Sequence, residues 1–408
     1  MFSSRLDEGQ QFSLPTPGEV VSLISVVVRR RLGTISAGAL ALVVMTLAFK
    51  TYHLFDFRVF WDAGHRLLTG SRLYPSEAAL NANTRDYFVY PPVVAFAFAP
   101  LSMIPYTVAA VLYTVACVAA IFASLRIVGV TDWRCYAALP FWMPVLQAVG
   151  LGTIAPFLAL ALAVAWRYRD HRFVGAAALG LAIASKLFLW PVVLWLIATR
   201  RYRRALETIA VTGAAVVIPW LTLGFRDFAE YPRVLRLLVH NEMPTSFSIK
   251  ALTEMLGLGQ AALVVQFVCV VAVFAFARRQ EGDRRAFSAA IITALALSPL
   301  VWIHYYLLLI VPIGIAFRRL RAVWLLPVLA FWPFPDNLSS VWPVLWVSLV
   351  MGGVAVLILL ASRRERPAPD RGSFEDGEAR PARTSLRMAT RKPTRVRNPG
   401  RRRTSQAR

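Results

Sequence analysis

Charge is scarce in this 408-residue chain. Only 16% of its residues are charged, and lysine is almost missing, with four lysines beside forty-one arginines. Cysteine is limited to Cys117, Cys135 and Cys269, all in or beside apolar runs and none at metal-ligand spacing. They read as buried small hydrophobes, and no metal site is expected. A Gly-rich nucleotide loop, a Walker motif and zinc spacing are all lacking, so nothing suggests a soluble nucleotide donor or metal hydrolysis, and no cofactor is expected. Acidic residues number 22 against 45 basic ones, a net charge of +23. That excess does not point to nucleic acid, because no compact basic domain carries it. Fifteen basic and five acidic residues fall between Arg363 and Arg408, and most of the remaining excess sits in short arginine clusters between apolar runs.

What the chain has in plenty is apolar sequence, 57% of its residues, gathered in runs. That pattern belongs to an all-α polytopic membrane protein, since a backbone in lipid must satisfy its own hydrogen bonds. Residues 1–31 read as a polar cytoplasmic lead ending in Arg29-Arg30-Arg31, and Leu32 to about Phe49 as a first anchor without a cleavage site. Clusters at Arg167–Arg172, Arg200–Arg204, Arg278–Arg285, Arg318–Arg321 and Arg363-Arg364 mark later cytoplasmic loops. Parity between these fixed points predicts about twelve transmembrane helices across residues 32–362. Residues 52–91 then form a first outer loop and residues 224–260 a second. Phe173–Ser185 and Leu187–Ala198 make a short outward-and-return pair with Lys186 at its tip. Thirteen helical residues rise only about 20 Å, so that tip lies below the outer surface unless the bilayer thins there. The last two spans are expected near Val323–Pro333 and Val341–Ala361. Residues 363–408, rich in Arg, Pro, Ser and Thr, cannot bury a core and are expected to form a disordered basic cytoplasmic tail. No soluble domain and no strong internal repeat is visible.

The first outer loop carries its own helical pattern. Phe57, Phe60, Trp61, Gly64, Leu67 and Leu68 recur at helical spacing, while Arg58, Asp62, His65 and Arg66 take other faces. Aromatics beside charges suit an amphipathic helix lying in a membrane interface. Asp56 stands in its first turn, Gly70 closes it, and Tyr90-Pro91-Pro92 leads back into apolar sequence. On the expected topology Asp56, Lys186 and His304 all collect on the outer side, and an ionisable residue in a membrane segment is a functional candidate by default. Each also has a plainer explanation. Asp56 could cap its helix, Lys186 could snorkel to the interface, and His304 could be a core histidine bonded to a carbonyl. Tyr90-Pro91-Pro92 could be an interface anchor followed by a helix start. Asp62 and Asp86 are rival acids in the same loop. As a set, the residues suit transfer to a hydroxyl: a carboxylate as general base, with Lys and His stabilising charge on a phosphate leaving group carried on lipid.

These stretches resemble the glycosyltransferase family 87 membrane enzymes of the GT-C superfamily. The resemblance is carried by Asp56-Phe-Arg-Val-Phe-Trp61, Gly70-Ser-Arg-Leu-Tyr74, Phe88-Val-Tyr-Pro-Pro92, Pro100-Leu101, Lys186 with Leu194 to Arg201, Ser246-Phe-Ser248 and Ser298-Pro-Leu-Val-Trp-Ile-His304. It implies a GT-C-like fold, Asp56 as catalytic base in the outer loop, a polyprenyl-phosphate sugar as donor, and inversion at the sugar carbon. In it Lys186 and His304 match positions for donor phosphate or acceptor binding, and Arg58 and Tyr90 are further substrate-binding candidates. Three features depart from the family pattern: Gly152-Thr153-Ile154-Ala155 stands where Gly-Gln and Asn are usual, Pro191 follows the lysine at a distance, and Tyr305-Tyr306 follows His304 in place of a second histidine.

The resulting expectation is a cell-membrane enzyme, with its active site on the outer face and its C-terminus in the cytoplasm. It would transfer mannose to a hydroxyl of a glycolipid or lipoglycan, with arabinofuranose as the alternative sugar. The rival from another class is a transporter or flippase of a lipid-linked solute. That class places its ionisable residues near the bilayer midplane on interrupted helices, often in two repeated halves.

Overall fold

The structure is a computed structural model and describes residues 46, 50, 53–74, 88–171, 173–279, 282–331 and 341–361. The expected cytoplasmic lead, most of the first anchor, the rival acid Asp86 and the basic tail lie outside these residues. Among the described residues the chain is helical throughout, with no strand. In order come α1 (Phe55–Leu68), α2 (Pro92–Phe98), α3 (Tyr106–Ile127), α4 (Trp133–Ala138), α5 (Met143–Gly150), α6 (Ala155–Arg167) and α7 (Val174–Ser185). Then follow α8 (Val192–Ala198), α9 (Tyr202–Thr222), α10 (Glu230–Glu242), α11 (Ile249–Met255), α12 (Ala261–Ala277), α13 (Gly282–Leu297), α14 (Ile310–Ala316) and α15 (Val341–Ala361).

Three of these helices, α3, α9 and α15, are long and apolar enough to cross a membrane. The pair α5 and α6, bent by 116° at Leu151–Ile154, adds a fourth if taken as one span. Large apolar side chains stay exposed along α3 (Val108, Val111, Val115), α9 (Leu206, Ile209, Leu221) and α12 (Leu263, Val264, Phe267). Rows of exposed aliphatic groups on helices would be a liability in water and are the natural outer surface in lipid. The remaining apolar helices are shorter. At 12 residues α7 rises about 18 Å, well under a hydrocarbon thickness. The expected count of twelve full crossings therefore has only three or four helices of crossing length behind it among the described residues. The breaks fall where Gly150 and Gly152, Pro191, and Ser298-Pro299 interrupt apolar sequence, because proline cannot donate to a helix and glycine readily leaves one. The stretch expected as a span near Val323–Pro333 instead forms 3₁₀ turns at Ala322–Trp324 and Leu326–Phe331. Pro327 has no N–H to give there, and Trp324 is pinned by its indole N–H to the Phe317 carbonyl at 3.1 Å.

The two ends of the bundle differ sharply. At the C-terminal end of α6, Asp283 is the hub of an ion network that accepts from Arg169 at 2.8 Å, from the Trp195 indole at 2.6 Å, and from both terminal nitrogens of Arg201 at 2.9 and 3.0 Å. Three arginine-bearing loops far apart in sequence thus meet on one side, and Arg169 also stacks its guanidinium 4.3 Å from the Trp166 ring. The N-terminal end of α6 points the other way, and there the first loop docks.

Candidate functional site

Helix α1 sits on the bend between α5 and α6. The N–H groups of Asp56 and Phe57 donate to the Leu151 carbonyl at 2.9 and 3.2 Å, and Leu54 N–H donates to Gly150 at 3.0 Å. These carbonyls take the helix-start donors that a side-chain cap would otherwise satisfy. The N-cap position is Leu54, held left-handed at φ 52°, and no side chain caps it. Asp56 is therefore not a cap, and its carboxylate is left for the cavity beneath. The seat depends on Gly152, whose φ is +68° and whose position lies so close to α1 that an added Cβ would come 2.6 Å from the Phe57 Cβ. The buried side of α1, Phe57, Phe60, Ala63 and Gly64, packs against protein, with Phe60 against Phe98 at 4.8 Å and Phe57 against Tyr113 at 4.8 Å between ring centres. Gly70, at φ +68°, ends the helix region.

The residues that follow α1 tie the two polar loops together. Leu73 N–H donates to Asp227 at 3.1 Å, Arg226 donates to the Ser71 carbonyl at 3.3 Å, and the Tyr74 hydroxyl donates to the Tyr90 carbonyl at 2.6 Å. Tyr90 is thereby fixed with its ring edge-on to Phe60 at 4.8 Å.

Lys186 reaches this place from the break between α7 and Leu187–Leu189. Its ammonium lies 3.8 Å from the centre of the Tyr90 ring, 5.0 Å from Tyr305 and 5.7 Å from Trp302. Three electron-rich faces around a cation in a low-dielectric site replace part of its lost hydration. This is a cage and not a snorkelling side chain. His304 follows on the same strand of chain, buried, with its ring parallel to that of Trp302 at 6.0 Å. Neither of its ring nitrogens has a hydrogen-bond partner among the described residues, so it is not a core histidine tied to a carbonyl. Ser246 and Ser248 line neither the cavity of Lys186 nor that of Asp56. Ser246 Oγ accepts from Val301 N–H at 3.0 Å, and Ser248 Oγ donates to the Pro299 carbonyl at 2.9 Å, which holds the segment carrying Trp302 and His304 in place.

Two adjoining cavities share Val89, Leu238 and Trp302 as a common wall. One, of 380 Å³, is lined by Lys186 and otherwise mainly by apolar groups such as Leu187, Trp190, Leu235, Val239 and Leu300. The other, of 340 Å³, is lined by Asp56, Tyr90, Gln147, Glu242 and His304. Burial raises the Asp56 carboxyl to about 6, and the charge of Lys186 works in the opposite direction. The two charges act on each other from adjoining cavities without a direct ion pair among the described residues. Burial first, then the Asp56 charge, pushes the Tyr90 hydroxyl well above its ordinary value, so it stays neutral.

Of the five site residues expected from sequence, Asp56, Tyr90, Lys186 and His304 converge on this pair of cavities. Arg58 does not. It is exposed on another side of α1; the rival acid Asp62 is half-buried and also lines neither cavity, and both act electrostatically on Tyr106. Sequence reasoning missed Tyr305, Trp302, Gln147 and Glu242. Trp302 stood in a quoted motif and Tyr305 was noted only as a departure from the family. Gln147 and Glu242 carried no local signal.

Among the described residues no group of histidine, cysteine and acidic side chains could hold a metal ion. The fold and site thus define a helical membrane protein with a half-open site in which a carboxylate and a caged cation line adjoining cavities. Residues 88–312, more than half of the chain, match the family described as glycosyltransferase family 87. The chain belongs to that family and is a membrane glycosyltransferase. The match includes Tyr90, Lys186 and His304 and begins after Asp56. The chain is also 26% identical over 304 residues, 67% of its own length and 68% of the relative's, to a polyprenol-phosphate-mannose-dependent alpha-(1-2)-phosphatidylinositol pentamannoside mannosyltransferase of Mycolicibacterium smegmatis. A protein of the same description from Mycobacterium tuberculosis is 26% identical over 251 residues, 55% of this chain and 56% of the relative. No solved structure matches.

Proposed function

We propose that the protein transfers mannose from a polyprenyl-phosphate carrier to a hydroxyl of a glycolipid or lipoglycan, with inversion, on the outer face of the membrane. The observation that carries this reading is the division of labour between the two cavities. A lipid-phosphate donor needs a cation beside an apolar wall, which is the Lys186 cavity. An inverting attack needs a base on the far side of the sugar from the leaving phosphate, and Asp56 and Lys186 line two adjoining cavities that meet at Val89, Leu238 and Trp302. The named relatives, which depend on polyprenol-phosphate mannose, favour mannose as the sugar.

In the step proposed, the Asp56 carboxylate accepts the proton of the acceptor hydroxyl. The freed oxygen pair forms a bond to the anomeric carbon. The bond from that carbon to the phosphate oxygen breaks, its electrons leave on polyprenyl phosphate, and the Lys186 ammonium stabilises the charge that develops there. Tyr90, Trp302 and Tyr305 hold the ammonium in position. The orientation rests on the arginine loops gathered around Asp283, which fit the cytoplasmic side. Arg58, exposed on α1, is retained only as a contact for a headgroup or glycan outside the cavity.

The test is incubation of membranes with radiolabelled polyprenyl-phosphate mannose and analysis of the labelled products. The parent should label a glycolipid fraction, and Asp56→Asn should reduce transfer by about a hundred- to ten-thousandfold while remaining in the membrane at parental level. An Asn variant that keeps more than roughly a third of parental turnover would reject the base role.

A further inference from the structure

We infer that Glu242 and Gln147 form, with Asp56 and His304, an acceptor subsite built for an uncharged sugar terminus, and that this chamber excludes acceptors bearing an anion next to the reacting hydroxyl. The inference rests on the transfer reaction proposed above and says which side of the site takes which substrate.

Charge is sorted between the adjoining cavities. Among the described residues the 340 Å³ cavity is lined by two acids, Asp56 and Glu242, and by no lysine or arginine. The 380 Å³ cavity has Lys186 as its one charged lining group among the described residues. An anion entering the first would meet two carboxylates, while Lys186, the cation whose charge reaches Asp56, lines the other cavity and would be engaged by the donor phosphate; like-charge juxtaposition is strongly unfavourable. A sugar terminus suits it. Carboxylates accept hydrogen bonds from hydroxyl groups, and the Gln147 amide both donates and accepts. Gln147 lies one turn before the carbonyls of Gly150 and Leu151 that seat α1, so its position is coupled to that of Asp56. Glu242 ends α10, and the Thr245 hydroxyl, 3.2 Å from Oε2, steadies the carboxylate.

The independent sign of a ligand here is His304. It is only 4% exposed, it lines this cavity, and both of its ring nitrogens lack a partner among the described residues. A buried polar group left unmatched in the protein is costly unless something else satisfies it. Hydroxyl groups of a sugar, which donate and accept, can serve either tautomer. Gln147 and Glu242 are positioned to hold the acceptor, and neither is needed for the donor.

The experiment uses the full-length protein in membranes, with polyprenyl-phosphate mannose and two acceptors: octyl α-mannoside and the same glycoside carrying a phosphate on its sugar ring. The parent should use the neutral acceptor at least about tenfold better, since a like charge buried near two acids costs that much or more. Glu242→Gln should reduce this preference several-fold, and Gln147→Ala should raise KM for the neutral acceptor while leaving the donor KM within about twofold. Equal use of both acceptors by the parent, or an unchanged preference in Glu242→Gln, overturns the subsite. A donor KM that rises in Gln147→Ala with the acceptor KM unchanged does so as well. Absence of transfer to any acceptor, including the membrane's own glycolipids, would instead remove the transfer reaction itself and the subsite with it.

Discussion

The ammonium of Lys186 lies 3.8 Å from the centre of the Tyr90 ring, and that contact joins two segments nearly a hundred residues apart at the wall between the two cavities. The same ammonium also faces Tyr305 and Trp302, so its position is set by three rings and by no carboxylate partner within ion-pair reach among the described residues.

Removing one face of that cage should weaken the hold on a phosphate without removing the charge. Tyr90→Phe keeps the π face and should change the donor KM less than about threefold. Tyr90→Ala should raise it roughly tenfold, in line with about 1–2 kcal/mol for a desolvated cation–π contact. Steady-state kinetics at fixed acceptor decides this, and equal donor KM values in the two variants would count against the cage.

Activity should fall on the acid side of neutrality. Asp56 must be ionised to accept a proton, and burial raises it to about 6 against the opposing charge of Lys186. The rate should therefore drop about tenfold per pH unit below that pH. Lys186→Met removes the charge that favours the ionised form, so in that variant the acidic limb should move to higher pH. A pH–rate profile of parent and variant measures both, and a limb that stays put or moves lower in Lys186→Met would separate the two residues.

Gly152→Ala should damage catalysis through geometry alone. The backbone there is left-handed, and the new methyl would press on Phe57 in the first turn of α1. Shifting α1 moves Asp56, and a misplacement of about 1 Å can cost on the order of a hundredfold in rate. The expected signature is a large fall in kcat with a much smaller loss of protein in the membrane. Parental kcat in this variant would mean that the bend does not seat Asp56.

Sidedness can be read by labelling. In a background lacking the three native cysteines, Ser71→Cys should react with an impermeant thiol reagent applied outside intact cells, and Arg279→Cys should react only after permeabilisation. Both positions are exposed, so burial does not confound the comparison. The reverse pattern would place the Asp56 cavity on the cytoplasmic side.

Much of this was legible along the chain because it is local. Apolar runs and arginine clusters set the membrane class, the spacing from Phe57 to Leu68 with Gly70 behind it set a helix found at Phe55–Leu68, and isolated Lys186 and His304 stood out by the cost of charge and polarity in lipid. What only the tertiary structure decided is which groups share a space. Helices this uniformly apolar can pack in many ways, and hydropathy does not distinguish among them. Their breaks do, since freed carbonyls such as those of Gly150 and Leu151 must find donors, and they find them in the first turn of α1. That one match frees the Asp56 carboxylate for the cavity, leaves Arg58 and Asp62 on other sides of the helix, and puts Asp56 and Gln147 on the same cavity, which Glu242 of α10 also lines. Contacts across so many residues leave no periodicity in the sequence, because they are fixed by the directions of broken helices and not by the pattern of any one of them.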